Sequence, residues 1–335
     1  MDDREDVQVL FLDFSAAFDK VPHSVILEKM QQLKVPTWIT KFCQSFLNNR
    51  RQYIELNDGS KSPTVLVKSG VPQGSIIGPI LFCIATSDFP VVPNCSVAKY
   101  ADDTTVWTTL NSKSPNLLQR YCQDISVWCR INSMQLNATK SATMIISLKR
   151  GINCDPLLLD GQPVPCVNNF KLLGLQFQNN LSWSLNTEVI VGKASRAMFL
   201  LKRFKSFGAS VAVMKKLYFC FFLPAVEYAS PVWDGNLTQK DATDLESLNK
   251  HALKICCIDS GETLSDRRKM ASLKLFKIAL NQPSHLLHSK IPKAISHGRN
   301  TRRAAAGALA VPRTRTELFK RSFINQTSRY YNELL

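Results

Sequence analysis

Lys99-Tyr100-Ala101-Asp102-Asp103-Thr104-Thr105 sets two adjacent carboxylates between two runs with strand character, residues 96–100 and 104–110. A hairpin at this point holds both acids at its turn, where like charges repel unless a cation sits between them. A third acid, Asp13, ends the apolar run Val7-Gln8-Val9-Leu10-Phe11-Leu12. A carboxylate at the end of a buried strand is costly unless it is paired or metal-bound. The ordinary alternatives are an acid that caps the next helix, for Asp13, and simple turn filling, for Asp102-Asp103. Three carboxylates at the ends of buried strands are what a two-Mg²⁺ nucleotidyl-transfer site requires.

Working outward, residues 7–14 read as a central strand covered on both faces. Residues 25–33 and 38–47 have helical spacing, with Pro36 between them. Residues 52–56 and 65–67 suggest a strand pair around the turn signal Asn57-Asp58-Gly59-Ser60. Ser75 is placed to cap a helix over residues 76–84. Residues 117–131 follow as an amphipathic helix and 143–147 as a strand. Asp160-Gly161 marks a hairpin, and 170–177 reads as a strand interrupted by Gly174. From about Leu185 helical patterns dominate, with breaks near Gly208, Pro224, Gly235 and Gly261. Residues 298–316 are arginine-rich and read as a linker, and 319–335 as a short aromatic helix. The expected fold class is α+β: an antiparallel sheet with helices on one face, then an all-helical basic region. Such a sheet places Asp13 beside the Asp102-Asp103 turn.

The 335 residues carry a net charge of +16, unevenly distributed. Residues 1–180 hold 17 Lys/Arg and 15 Asp/Glu, whereas residues 181–335 hold 25 and 11. A near-neutral front half and a basic back half suggest a catalytic body followed by a part that grips a polyanion. A solvated basic surface is the plainer reading. The ten cysteines include no C-x-x-C pair, which argues against zinc. They read as reduced and mostly buried, in an intracellular compartment. The longest apolar run, residues 217–226, contains Pro224 and is too short to span a membrane.

Several motifs then occur in order. Phe11-Leu12-Asp13-Phe14-Ser15-Ala16-Ala17-Phe18-Asp19-Lys20-Val21-Pro22-His23 resembles the first palm motif of non-LTR retrotransposon reverse transcriptases. Gly70-Val71-Pro72-Gln73-Gly74-Ser75-Ile76-Ile77-Gly78-Pro79-Ile80-Leu81-Phe82 is similar to their second motif, Tyr100-Ala101-Asp102-Asp103 to the third and Leu136-Asn137-Ala138-Thr139-Lys140-Ser141 to the fourth. Phe170-Lys171-Leu172-Leu173-Gly174 resembles the primer-grip motif. Tyr228-Ala229-Ser230-Pro231-Val232-Trp233 resembles a signature of LINE-type elements of the jockey and CR1 kind.

The resemblance implies an RNA-directed DNA polymerase that adds dNMP to a primer 3′-hydroxyl. It implies an RNA template, a DNA primer, dNTP, and two Mg²⁺ ions (or Mn²⁺), in the nucleus and cytoplasm and with no membrane. Asp13, the backbone carbonyl of Phe14, and Asp102 would ligate the ions, with Asp103 a weaker ligand. Phe18 would be the steric gate against a ribose 2′-hydroxyl, although a core phenylalanine is the alternative. Gln73 and Gly74 would lie along nucleotide and template, Lys140 would protonate pyrophosphate, and Leu173 and Gly174 would belong to the primer grip. Lys140 reads equally as a solvated surface lysine. His23 is expected to make a structural hydrogen bond. The basic clusters Lys202-Arg203-Phe204-Lys205, Lys215-Lys216 and Arg267-Arg268-Lys269 suit a thumb holding phosphates.

By this reading residues 1–180 are a palm without fingers, 181–297 a helical thumb-like region, and 298–335 an arginine-rich linker and C-terminal segment. The chain begins only a dozen residues before Asp13, so it reads as N-terminally truncated. The alternative is an inactive retroelement relic that still binds nucleic acid through its basic region.

Overall fold

The computed structural model describes residues 6–110, 117–147, 149, 156–259, 261–295 and 307–335. The chain forms two compact units, Arg4–Leu173 and Gly174–Leu335. The linker expected at 298–316 lies largely outside the described residues.

The first unit is built on a four-stranded antiparallel sheet. Its strands are β1 (Asp6–Leu12), β2 (Ser96–Tyr100), β3 (Asp103–Leu110) and β4 (Ala142–Ile146), in the order β2-β3-β1-β4. Alternation along β1 explains why its sequence is almost wholly apolar. Leu10 and Leu12 face a core formed with α1 (His23–Gln32), α2 (Thr37–Leu47), α3 (Gly78–Ala85) and α4 (Leu117–Ile131), among them Ile26, Phe82, Leu118 and Ile125. Val9 and Phe11 face the other way, against Met144 and the returning segment Val167, Phe170 and Leu172. Phe170 stacks on Phe11 with ring centroids 4.0 Å apart. Both faces of β1 are therefore dry, while the helices keep to one of them.

Two local expectations shift. The strand pair around Asn57-Asp58-Gly59-Ser60 shrinks to Arg51–Gln52 with Val65–Leu66, plus one bridge between Glu55 and Lys61. All of these residues are exposed, so there is no core against which a longer ladder would pack. The helix expected from Ile76 begins at Gly78, with Pro79 in its first turn, where no backbone N–H is needed. Ser75 still serves that end: its Oγ accepts the Gly78 N–H at 3.0 Å.

The run read as one interrupted strand is two, β5 (Asn169–Leu172) and β6 (Leu175–Gln178). Leu173 and Gly174 make the turn between them, at φ 46° and 84°.

The second unit is helical after β6. Its core gathers Ile190, Ala194, Ala197 and Leu201 of α5 (Ser184–Ser206), Met214 of α6 (Val211–Leu217), and Leu245, Ala252 and Leu253 of α7 (Gln239–Cys256). Pro224 does not break this region. It sits in the first turn of the helical segment Leu223–Glu227, directly after a π-helical turn at Tyr218–Phe222. Ala229 at φ 50° then turns the chain so that Trp233 is fully buried, its indole N–H donating to the Tyr228 carbonyl at 2.9 Å. α8 (Leu264–Asn281) opens with a capping box made by Thr263 and Asp266, and Phe276 packs near Tyr331 of α9 (Phe323–Glu333). Among the described residues no helix is long and apolar enough to cross a membrane.

The nine described cysteines are all free, but they are not mostly buried. Cys43, Cys122, Cys129 and Cys256 are, whereas Cys83, Cys166, Cys220 and Cys257 are exposed.

Candidate active site

Strand register gathers the acids. β1 and β3 pair through Leu12 and Thr104, so the residue that follows β1, Asp13, comes level with Asp103. Tyr100 pairs with Asp103, which leaves Ala101 and Asp102 as a two-residue loop. Ala101 holds that loop at φ 57°, a left-handed conformation that disfavours a side chain.

The carboxylates act on one another. Burial raises the Asp13 carboxyl above its ordinary value; the Lys140 ammonium pulls it back and the Asp102 charge pushes it further up. Asp103 is raised by burial, then by Asp102 and by Asp13. The turn thus gathers negative charge that Lys140 offsets only in part, with oxygen donors only. Among the described residues, no group of three or more His, Cys, Asp or Glu side chains forms a ready-made metal cage.

Asp13 is held by its backbone. Its N–H donates to Ser141 Oγ at 3.1 Å, and its carbonyl accepts the Asn137 N–H at 2.9 Å. Phe14 bridges to Leu136 and the Ser15 N–H donates to the Gln135 carbonyl. Ser141 is fully buried and also donates to the Asn137 carbonyl at 2.8 Å. The segment carrying Lys140 is therefore fastened to the end of β1, and Lys140 itself is exposed. Asn137 and Ser141 belong to the fourth motif, where only Lys140 had an expected role, and they act as positioning residues. The available signal was a small hydroxyl placed just ahead of the apolar strand β4.

Phe18 is half-buried, its ring stacked on buried Phe82 at 4.4 Å, so one face of it belongs to the core. Gln73 is exposed and its side-chain amide donates to Asp19 Oδ1 at 2.9 Å. Asp19 likewise stands in the first motif without an expected role of its own. Its neighbourhood is closely joined: Gly70 N–H donates to Val21 O and Val71 N–H to Phe18 O, each at 2.7 Å, and His23 Nε2 donates to Gly70 O at 2.9 Å. Beside this seam lies a polar cleft of about 590 Å³, lined by Asp19, Arg50, Gln52, Lys68 and Gln73 among others. Gly74 has φ 80° with open space where a side chain would begin.

The basic clusters divide. Lys202, Arg203, Lys205, Lys215 and Lys216 are exposed. Arg267-Arg268-Lys269, in contrast, is spent within the fold. Arg267 pairs with Glu227 and Glu262, buried Arg268 pairs with Asp234 at 2.6 Å, and Lys269 reaches Glu333 and lies over the Tyr330 ring. Expecting this third cluster to hold phosphates was wrong, because intramolecular carboxylates already neutralise it.

Comparison with known proteins gives this geometry a family. A stretch of 248 residues is 29% identical to the probable RNA-directed DNA polymerase from transposon X-element of Drosophila melanogaster, covering 69% of this chain and 26% of that protein. Over 194 residues the chain is 30% identical to the RNA-directed DNA polymerase from mobile element jockey of Drosophila melanogaster, covering 55% and 21%. The chain thus spans about a quarter of the length of these curated relatives. A solved structure of apo telomerase from Candida tropicalis aligns over 81% of this chain and 45% of its own, at 14% identity and a TM-score of 0.43; likeness of that degree adds nothing to what the sequence relatives establish. Residues 2–177 match the model for "Reverse transcriptase (RNA-dependent DNA polymerase)", and with more than half of its length so matched the chain belongs to the reverse transcriptase family.

Proposed function

We propose that the Arg4–Leu173 unit is the palm of an RNA-directed DNA polymerase of a non-LTR element, and that the helical unit after it is thumb-like. The reaction joins dNMP to the 3′-hydroxyl of a DNA primer on an RNA template and releases pyrophosphate. The observation that carries this reading is the cross-strand placement of Asp13 level with Asp103, next to Asp102, with burial and mutual repulsion raising two of the three.

The donor set suits Mg²⁺ or Mn²⁺ more than a preformed protein cage. Mg²⁺ keeps several waters and takes one or two carboxylates together with substrate phosphates. Asp13, the Phe14 carbonyl and Asp102 would hold two such ions, with Asp103 behind them. The chemistry a metal pair supplies there is activation of the primer hydroxyl and neutralisation of the leaving pyrophosphate. Lys140, electrostatically coupled to Asp13, would hand a proton to that pyrophosphate. The half of Phe18 left outside the core would exclude a 2′-hydroxyl. Gln73, fixed by Asp19, and the exposed backbone at Gly74 would align nucleotide and template. Leu173 and Gly174 would steady the primer end, and exposed Lys202, Lys205, Lys215 and Lys216 would hold duplex phosphates.

The test is primer extension on an RNA template with dNTPs and Mg²⁺, beside a duplex-binding titration. Extension should disappear in Asp103→Ala while duplex affinity is kept. Extension that survives Asp103→Ala, or failure to bind an RNA–DNA duplex even at low salt, overturns the reading.

A further inference from the structure

The outer face of α5 is unusual for a solvated helix. Its inner face is a regular apolar stripe, Ile190, Ala194, Ala197 and Leu201. Opposite it run Arg196, Phe199 and Arg203, with Lys193 on the flank, and Phe207 follows just past the helix end. Phe199 is 60% exposed and Phe207 73%. The Arg203 guanidinium lies between them, 5.9 Å from the Phe199 ring centroid and 5.4 Å from that of Phe207. Three flat groups are thereby ranged along one face, over about 12 Å at the helical rise.

Along the chain between Glu188 and Glu227 the charge has one sign. Residues 189–226 contain seven Lys/Arg and no Asp or Glu. A protein-docking patch shares aromatic rings and arginine but is depleted in lysine, whereas three exposed lysines, Lys193, Lys202 and Lys205, flank these rings. Cations interleaved with exposed aromatic rings match an unpaired polynucleotide: phosphates meet the cations and bases lie on the rings and the guanidinium. A duplex offers the same phosphates but keeps its bases stacked.

We infer that Phe199, Arg203 and Phe207 form a base-stacking platform for single-stranded nucleic acid, flanked by Lys193, Arg196, Lys202 and Lys205 as phosphate contacts. The platform belongs to the Gly174–Leu335 unit, the carboxylate turn to the Arg4–Leu173 unit. It rests on the nucleic-acid part of the proposed function and not on its chemistry.

The test measures binding of a labelled oligo-dT and of a blunt duplex of equal length by fluorescence anisotropy. A Phe199→Ala/Phe207→Ala double variant should lose about ten- to a hundred-fold in affinity for the single strand while duplex affinity moves by less than about two-fold. Lys202→Ala/Lys205→Ala should weaken both ligands and flatten the salt dependence. Phe207→Trp should retain affinity, and the fluorescence of the introduced indole should be quenched by the oligonucleotide. Equal losses on strand and duplex, no loss on either, or a Phe207→Trp variant that stays unquenched overturns the platform. Dissociation of a dimer by the double variant, with strand affinity unchanged, assigns the face to a second copy and also overturns it. In each of these cases a wild-type chain that still binds duplex leaves the polymerase reading standing.

Discussion

Asp13, the residue just after β1, comes level with Asp103 of β3, one step beyond the Leu12–Thr104 pair. Asp13 is half-buried and Asp103 is exposed, so the tension between them comes from like charge as well as from burial. Asp13 follows a strand that is dry on both faces, and Asp103 follows a loop that Ala101 enters at positive φ. The fold thus holds like charges close together at the cost of its own stability, a pattern that clusters at functional sites.

That cost has a definite pH dependence. The Asp103 carboxyl is raised in the fold by burial and then by Asp102 and Asp13. A raised carboxylate is penalised in its charged form, so the penalty is absent below the unfolded value of about 4 and develops as pH rises through the folded one. Asp103→Asn should therefore melt higher than wild type at pH 7, with the difference closing as pH falls towards 3. Melts over that range check it; a variant less stable than wild type at neutral pH contradicts the electrostatic account.

A divalent cation should relieve the same repulsion. Mg²⁺ or Mn²⁺ at millimolar concentration is expected to raise the wild-type melting temperature slightly, since binding to the folded state alone stabilises it. Asp13→Asn and Asp102→Asn should each blunt this response, and matched Ca²⁺-free salt controls separate it from ionic strength. Identical titrations in all three proteins would remove the metal role.

Two glycines of one motif should behave differently. A Cβ at Gly70 would come within 2.7 Å of Asp19 backbone atoms, on a residue already at φ 84°. Gly70→Ala should cost more than about 2 kcal/mol, because backbone must move. At Gly74 nothing lies within 4 Å of a Cβ, and only the φ of 80° resists substitution. Gly74→Ala should cost about 1 kcal/mol, and any larger loss in primer extension then reports on the approach of substrate. Urea denaturation of the two variants measures the contrast.

Much of this was legible in the sequence. The apolar run before Asp13, the acid pair between two strand-like segments and the helical spacing of residues 117–131 are local patterns, and each kept its place in the fold. What was not legible depends on partners distant in sequence. Nothing near Ser141 announces that its hydroxyl receives the Asp13 N–H, nor does anything near Gln73 point to Asp19. Leu173-Gly174 looked like a flaw in one strand because a turn with a leucine at positive φ has no strong sequence signal. The same blindness made Arg267-Arg268-Lys269 look like a free basic patch, since its carboxylates come from residues 227, 234, 262 and 333.

Arg268 gives the sharpest test of that correction. Its side chain is 2% exposed, its Nε donates to Asp234 at 2.6 Å, and its guanidinium lies over the buried Trp233 ring, 5.7 Å from the centroid. The Asp234 side chain is itself only 16% exposed, so truncating Arg268 leaves a largely desolvated carboxylate without its partner. Breaking a buried pair from one side costs about 3–5 kcal/mol, whereas an exposed basic residue is worth a few tenths. Arg268→Ala should thus destabilise the helical unit by about 3 kcal/mol or more, with little dependence on salt because the pair is shielded from solvent. Arg268→Met combined with Asp234→Leu should recover most of the loss by removing both charges. Lys202→Ala is the matching control: it should leave stability within about 0.5 kcal/mol and instead weaken nucleic-acid binding. Denaturant titrations of the four proteins decide it. A near-neutral Arg268→Ala that lowers duplex affinity would return Arg268 to the binding surface.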